Sequence, residues 1–108
     1  YKPSLIVTYS QGQWGGARAA VGLRSFLGEL GCIPVSAMVH VPHAHQVFDE
    51  AGKVNESHDS LTWASYFQHG LAQLYWWAEA CAEKTKLKDP HKLIKSFRNT
   101  PDERNAPK

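Results

Sequence analysis

Two short apolar runs, Leu5 to Val7 and Val35 to Val41, flank a segment whose apolar residues recur at helical spacing. That order constrains the chain more than any other feature. Strand, helix and strand within about 38 residues define a βαβ unit, so the strands run parallel and the crossover is right-handed. Ser4 to Thr8, bounded by Pro3, has the length and composition of a buried parallel strand. Ile33 to Val41 is the second strand; Pro34 is tolerable at its start and Pro42 closes it. Between them, Ala17 to Leu30 places Ala20, Leu23, Leu27 and Leu30 on one stripe, with Val21 and Phe26 beside it. Arg18, Arg24 and Glu29 can lie off that stripe, and Gly31 follows where helices commonly end.

The 108 residues suffice for one small domain, and 43% hydrophobic content with four tryptophans argues for a folded core. Yet the elements number only β-α-β-α and a tail. Two parallel strands are marginal as a sheet, and such sheets are normally covered on both faces. Further strands are therefore expected, from chain ahead of Tyr1 or from partner subunits. No apolar run approaches the roughly 18 residues that span a bilayer. Nothing at Tyr1 resembles a signal peptide, so a soluble, cytoplasmic protein is the expectation. Cys32 and Cys81 have no metal-ligand spacing and read as reduced thiols.

The first strand runs into Thr8 to Arg18, which holds three glycines, a serine, a tyrosine and a tryptophan. A loop at the carboxyl end of a strand and the mouth of a helix is where open α/β sheets place ligands. Ser10 to Gly16 has neither a Walker-A lysine nor the GxGxxG spacing of a dinucleotide fingerprint. Two readings remain for it. In one, its backbone N–H groups and the Ser10 hydroxyl meet the polar edge of a flat ligand while Tyr9 or Trp14 covers an apolar face. In the other, the glycines serve only a tight strand-to-helix turn.

Pro42 to Asn55 reads as a long polar loop with a turn at Glu50 to Lys53, a candidate lid or wall for the same site. Its neighbourhood carries His40, His43 and His45, which invite a zinc site or form a polar loop near the ligand mouth. Glu56 to about Lys84 is the longest helix. Leu61, Ala64, Phe67, Leu71, Leu74, Ala78 and Cys81 step along one face, and Trp63, Tyr66, Tyr75, Trp76 and Trp77 widen it. A stripe this wide is core, or core plus a dimer face. Asn55, Ser57 or Asp59 can cap its start. Residues 1–83 carry a net charge of −3 and residues 84–108 one of +5, so an acidic body ends in a basic segment. Residues 85–108 read as a flexible solvated tail, with Leu93, Ile94 and Phe97 able to form one docking turn. Basic residues are not interleaved with the aromatics, so neither the helix nor the tail reads as a specific nucleic-acid surface.

Leu5 to Ala19, centred on Ser-x-Gly-x-x-Gly-Gly-x-Arg between a strand and a helix, resembles the latter half of the NAD(P)H-dependent FMN reductase family. Leu23-Arg24, Leu27 and Leu30-Gly31 continue the likeness, and Phe48-Asp49-Glu50-x-Gly52 carries it more loosely into the last helix. It spans residues 3 to about 84. The resemblance implies a flavodoxin-like parallel sheet with flanking helices, present as its β-α-β-α C-terminal portion. It implies an enzyme passing hydride from NAD(P)H through FMN to a quinone or similar small acceptor, and a homo-oligomer when complete. It places Tyr9, Ser10, Gln11, Gly12, Gln13, Trp14 and Gly15 along the flavin ring, with Arg18 structural or interfacial. The family's phosphate-binding turn and its Pro-Glu-Tyr-Asn loop have no counterpart here. The alternative is a non-catalytic half-domain that serves as a subunit interaction module.

Overall fold

A computed structural model describes residues 1–93, and in it Pro3–Tyr9 (β1) and Ile33–Val41 (β2) form a two-stranded parallel sheet. Ala17–Glu29 (α1) joins them across one face. After β2 come a single helical turn, Ala44–Val47 (α2), and the long helix Ser60–Leu87 (α3), which covers the other face. A short 3-10 turn, Pro90–Lys92, follows. The mixed α/β class and the parallel crossover expected from the sequence are present.

The strands do not pair evenly. Ser4 lies opposite Pro34 while Ile6 lies opposite Met38, so Val35, Ser36 and Ala37 face Leu5 alone. Such a bulge strands backbone polar groups, which must find other partners. Side chains from both helices supply them. Arg24 of α1 donates from Nη1 to Pro34 O (3.4 Å) and from Nη2 to Val35 O (2.6 Å) and Ser36 O (3.1 Å). From α3, Gln73 Oε1 accepts from the Ala37 N–H at 2.9 Å. Farther along, Tyr66 Oη accepts from the His40 N–H at 2.9 Å. By contrast, no side chain among the described residues hydrogen-bonds the backbone of β1.

This arrangement corrects the helix faces drawn from the sequence. On α1 the sheet-facing line runs through Ala17, Ala20, Arg24 and Leu27, of which Ala20 is fully buried, while Leu23, Phe26 and Leu30 are exposed. Arg24 belongs to the packed side because its guanidinium is consumed by the bulge. On α3 the seam runs through Trp63, Phe67, Gly70, Leu74 and Cys81, not through Leu61, Ala64 and Leu71, which are exposed. Gly70 is fixed in that seam: a Cβ there would stand 3.0 Å from Leu5 Cδ1 and 3.3 Å from Val39 Cγ2.

The core is small. Val39, Val41 and Val47 are buried together, with Ala44, Phe48, Trp63 and Phe67 packed on them. Phe48, Trp63 and Phe67 meet at ring-centroid distances of 5.9 to 6.4 Å. The segment expected to be irregular is therefore partly ordered: Val47 anchors α2, and Phe48 bridges antiparallel to Val54 around the expected turn. There, Asp49 O accepts from Gly52 N and Asp49 N donates to Lys53 O. α3 begins at Ser60 rather than Glu56 and runs through residue 84 to Leu87. Ile94 and Phe97, part of the expected docking turn, lie outside the described residues. Among those residues, no helix is long and apolar enough to cross a membrane.

Candidate ligand site at the carboxyl ends of the strands

The loop after β1 and the loop after β2 are tied together through their backbones. Ser10 N donates to Val41 O (3.1 Å), and Ser10 O accepts from Ala44 N (2.9 Å). Gly12 O accepts from His43 N (3.3 Å) and Gly15 N (3.4 Å), and the Ser10 hydroxyl donates to it at 3.0 Å. His43 is the tie at the centre. Its φ of 47° is left-handed, a region that costs a side-chain-bearing residue energy unless its surroundings hold it. Here its ring Nδ1–H donates to Gln11 O at 3.1 Å and its carbonyl accepts from Gln46 N and Val47 N.

The turn into α1 needs its two adjacent glycines. Both have positive φ, 54° at Gly15 and 78° at Gly16. A Cβ at Gly15 would stand 2.8 Å from Pro42 N, and one at Gly16 would stand 2.9 Å from Thr8 Cβ. These glycines therefore have a packing reason as well as a conformational one. The Thr8 hydroxyl locks the same turn, donating to Gly15 O at 2.6 Å. Its single proton is thus used, so the 2.6 Å contact with His40 Nδ1 must be donated by the imidazole. That fixes His40 as the Nδ1–H tautomer and leaves its Nε2 open.

The exposed part of the loop keeps backbone donors that the ties above do not use. Among the described residues no hydrogen bond uses the N–H of Gln11, Gly12, Gln13 or Trp14. Tyr9 and Trp14 are 76% and 61% exposed. The Arg18 guanidinium lies 5.7 Å from the Trp14 ring centroid, one helical turn on, which steadies the indole. Chain comparison adds nothing to this geometry. No protein-family model, curated protein or solved structure matches the chain.

Of the seven residues expected at a ligand site, Tyr9 ends β1 and Ser10 to Gly15 form the loop that follows it, with two qualifications. Gly15 is buried inside it, and the Ser10 proton is spent on Gly12 O, which leaves that hydroxyl only as an acceptor. His40, His43 and His45 are not gathered into a ligand set: no group of three or more His, Cys, Asp or Glu among the described residues is arranged to hold a metal. His45 instead joins Val7, Tyr9, Val41, Phe48, Asp49 and Phe67 around an open cavity of about 400 Å³ beside β1. Sequence spacing did not reveal the Thr8–His40 pair or this cavity. Both depend on the strand register, and the bulge moves that register by two residues.

Proposed function

We propose that the chain forms part of a flavodoxin-like unit whose sheet continues beyond β1, and that Tyr9 to Gly15 make one wall of a site for the ring of FMN. The row of four unpaired N–H donors between two exposed aromatic rings, at the carboxyl end of a parallel strand, carries this reading. A flavin presents carbonyl oxygens along its pyrimidine edge, which need donors, and an apolar ring face, which suits Tyr9 or Trp14. The resemblance in the Ser-x-Gly-x-x-Gly-Gly-x-Arg segment supports it. So does the sheet, in which Arg24, Gln73 and Tyr66 occupy backbone groups of β2 while no side chain among the described residues does so on β1.

Bound there, FMN would supply the redox chemistry, taking hydride from NAD(P)H and reducing a quinone or similar small acceptor. The chain's own residues would bind and orient. Backbone donors fix the ring edge, the Thr8 and His43 contacts keep the loop in shape, and no side chain is required as a nucleophile. In this reading the complete protein is a homo-oligomer.

The phosphate turn has no counterpart in residues 1–108, so the ring should carry the recognition. Flavin-fluorescence titration with the full chain should give weak, saturable quenching by riboflavin and FMN with equal affinity. Trp14→Ala or Tyr9→Ala should weaken both severalfold, as the loss of an aromatic stacking partner does. An absence of saturable quenching would sink the ring site, and a strong preference for FMN would sink the division of ring from phosphate.

A second reading, a non-catalytic interaction module, is favoured by the exposed Leu71, Tyr75 and Trp76 of α3. A stable homodimer that ignores flavin in the same titration would select it.

A further inference from the structure

At the opposite end of the sheet, where the strands begin, α3 and the residues after it border a second, apolar cavity of about 310 Å³. Ile33, Trp77, Ala80, Cys81 and Leu93 make its apolar lining, and Tyr1 closes one side. Tyr1 N donates to Gly31 O at 2.7 Å, and the Tyr1 ring meets His91 edge-on at 5.8 Å. Lys84 and Lys88, one helical turn apart, also line the cavity. Both are exposed. The nearby Asp89 carboxylate turns to the His91 N–H at 3.0 Å.

We propose that this cavity binds a small amphipathic anion, an apolar body with one carboxylate head. The volume is at the small end of the range for ligand pockets, about 300–1,000 Å³. An open pocket of about 310 Å³ accommodates a medium-chain acyl body. The charge is set by the two lysines. The carboxyl end of α3 contributes about half a negative charge, which two full positive charges outweigh. Both lysines are exposed, so a carboxylate head gains a charged partner that a neutral ligand does not, and a cation would be repelled. This site lies away from the Tyr9–Gly15 loop and does not depend on flavin binding there.

The half-buried Cys81 thiol gives a local readout. In the full chain carrying Cys32→Ser, the rate of Cys81 alkylation by N-ethylmaleimide is measured against decanoate, decan-1-ol and acetate. Decanoate should slow alkylation saturably and bind about fivefold more tightly than decanol, while acetate gives no protection. Lys84→Gln with Lys88→Gln, both at exposed positions, should reduce decanoate to the level of decanol and leave decanol unchanged. Equal protection by decanol and decanoate in the parent chain would overturn the proposal. Undiminished decanoate protection in the double variant would also overturn it. Protection by anionic phospholipid vesicles but not by decanoate would assign the surface to a membrane and overturn the small-molecule site.

Discussion

Asp59 starts α3 with one carboxylate. Its Oδ2 accepts from the Thr62 hydroxyl at 2.5 Å and its Oδ1 from the Leu61 N–H at 3.0 Å. Those two bonds, the Thr62 bond first, hold its pKa below the ordinary value of 3.8. A carboxyl whose folded pKa is depressed adds stability that is fully present above its unfolded pKa. That stability is lost as pH falls through the folded value. Asp59→Asn keeps an oxygen for the cap but removes the titration. The parent chain should therefore melt above the variant at neutral pH, and the gap should close as the pH is taken below 3.8. A gap independent of pH in thermal melts would mean that the charge contributes nothing. The sequence supplied three cap candidates and could not choose between them. The choice was made by tertiary contacts: Asn55 is held to Gln46 O by its side chain and to Val47 O by its N–H, which keeps residues 55–58 in a turn.

The helices were legible as helices, but their faces were not. Periodicity identifies where apolar side chains align, and on α1 that alignment through Leu23 and Leu30 is real. It does not reveal which part of the arc the sheet will reach. A 13-residue helix over two strands buries only a narrow line, and the β2 bulge brings Arg24 onto it. The fork of the guanidinium, with several donors in a fixed plane, satisfies three consecutive carbonyls at once. Arg24→Met should cost about 1–3 kcal/mol, the penalty for partly buried acceptors left unpaired. Arg24→Lys should recover only part of it, because one ammonium cannot span Pro34 O to Ser36 O. Urea unfolding of the three chains provides the comparison, and a methionine variant as stable as the parent would show that water replaces the guanidinium. Strand β2 was legible to the residue because Ile33 and Pro42 bracket it, whereas its bulge carries no sequence mark.

The two edges of the sheet differ in kind, and the difference sets what the whole molecule can join. Along β2, a proline, a bulge and three helix-borne side chains bonded to its backbone make the strand less available to a new partner. Natural edges are commonly made unavailable in such ways. β1 also has a proline at its start, Pro3, but it carries no charge and no bonded helix side chain among the described residues, and Val7 and Tyr9 are exposed. Apolar shoulders extend the same way on both faces. On α1, the exposed Leu23 and Leu30 flank the sheet-facing line on one side. On α3, the exposed Leu71 flanks the seam on the side away from Gln73 and Tyr66, which reach β2. A strand added at β1 would be covered on both sides. Val7→Lys places a charge in that path while leaving the β1–β2 ladder and the packed seams alone. At rising concentration the parent chain should associate through this edge, seen as growing mass in sedimentation velocity. Val7→Lys should keep it monomeric, because burying an unpaired ammonium between the shoulders is costly. Its melting temperature when dilute should stay close to that of the parent, since Val7 is 47% exposed there. Ser36→Lys, on the closed edge, should associate as the parent does. If Ser36→Lys blocks association while Val7→Lys does not, the open edge has been assigned to the wrong strand, and with it the direction in which the sheet continues.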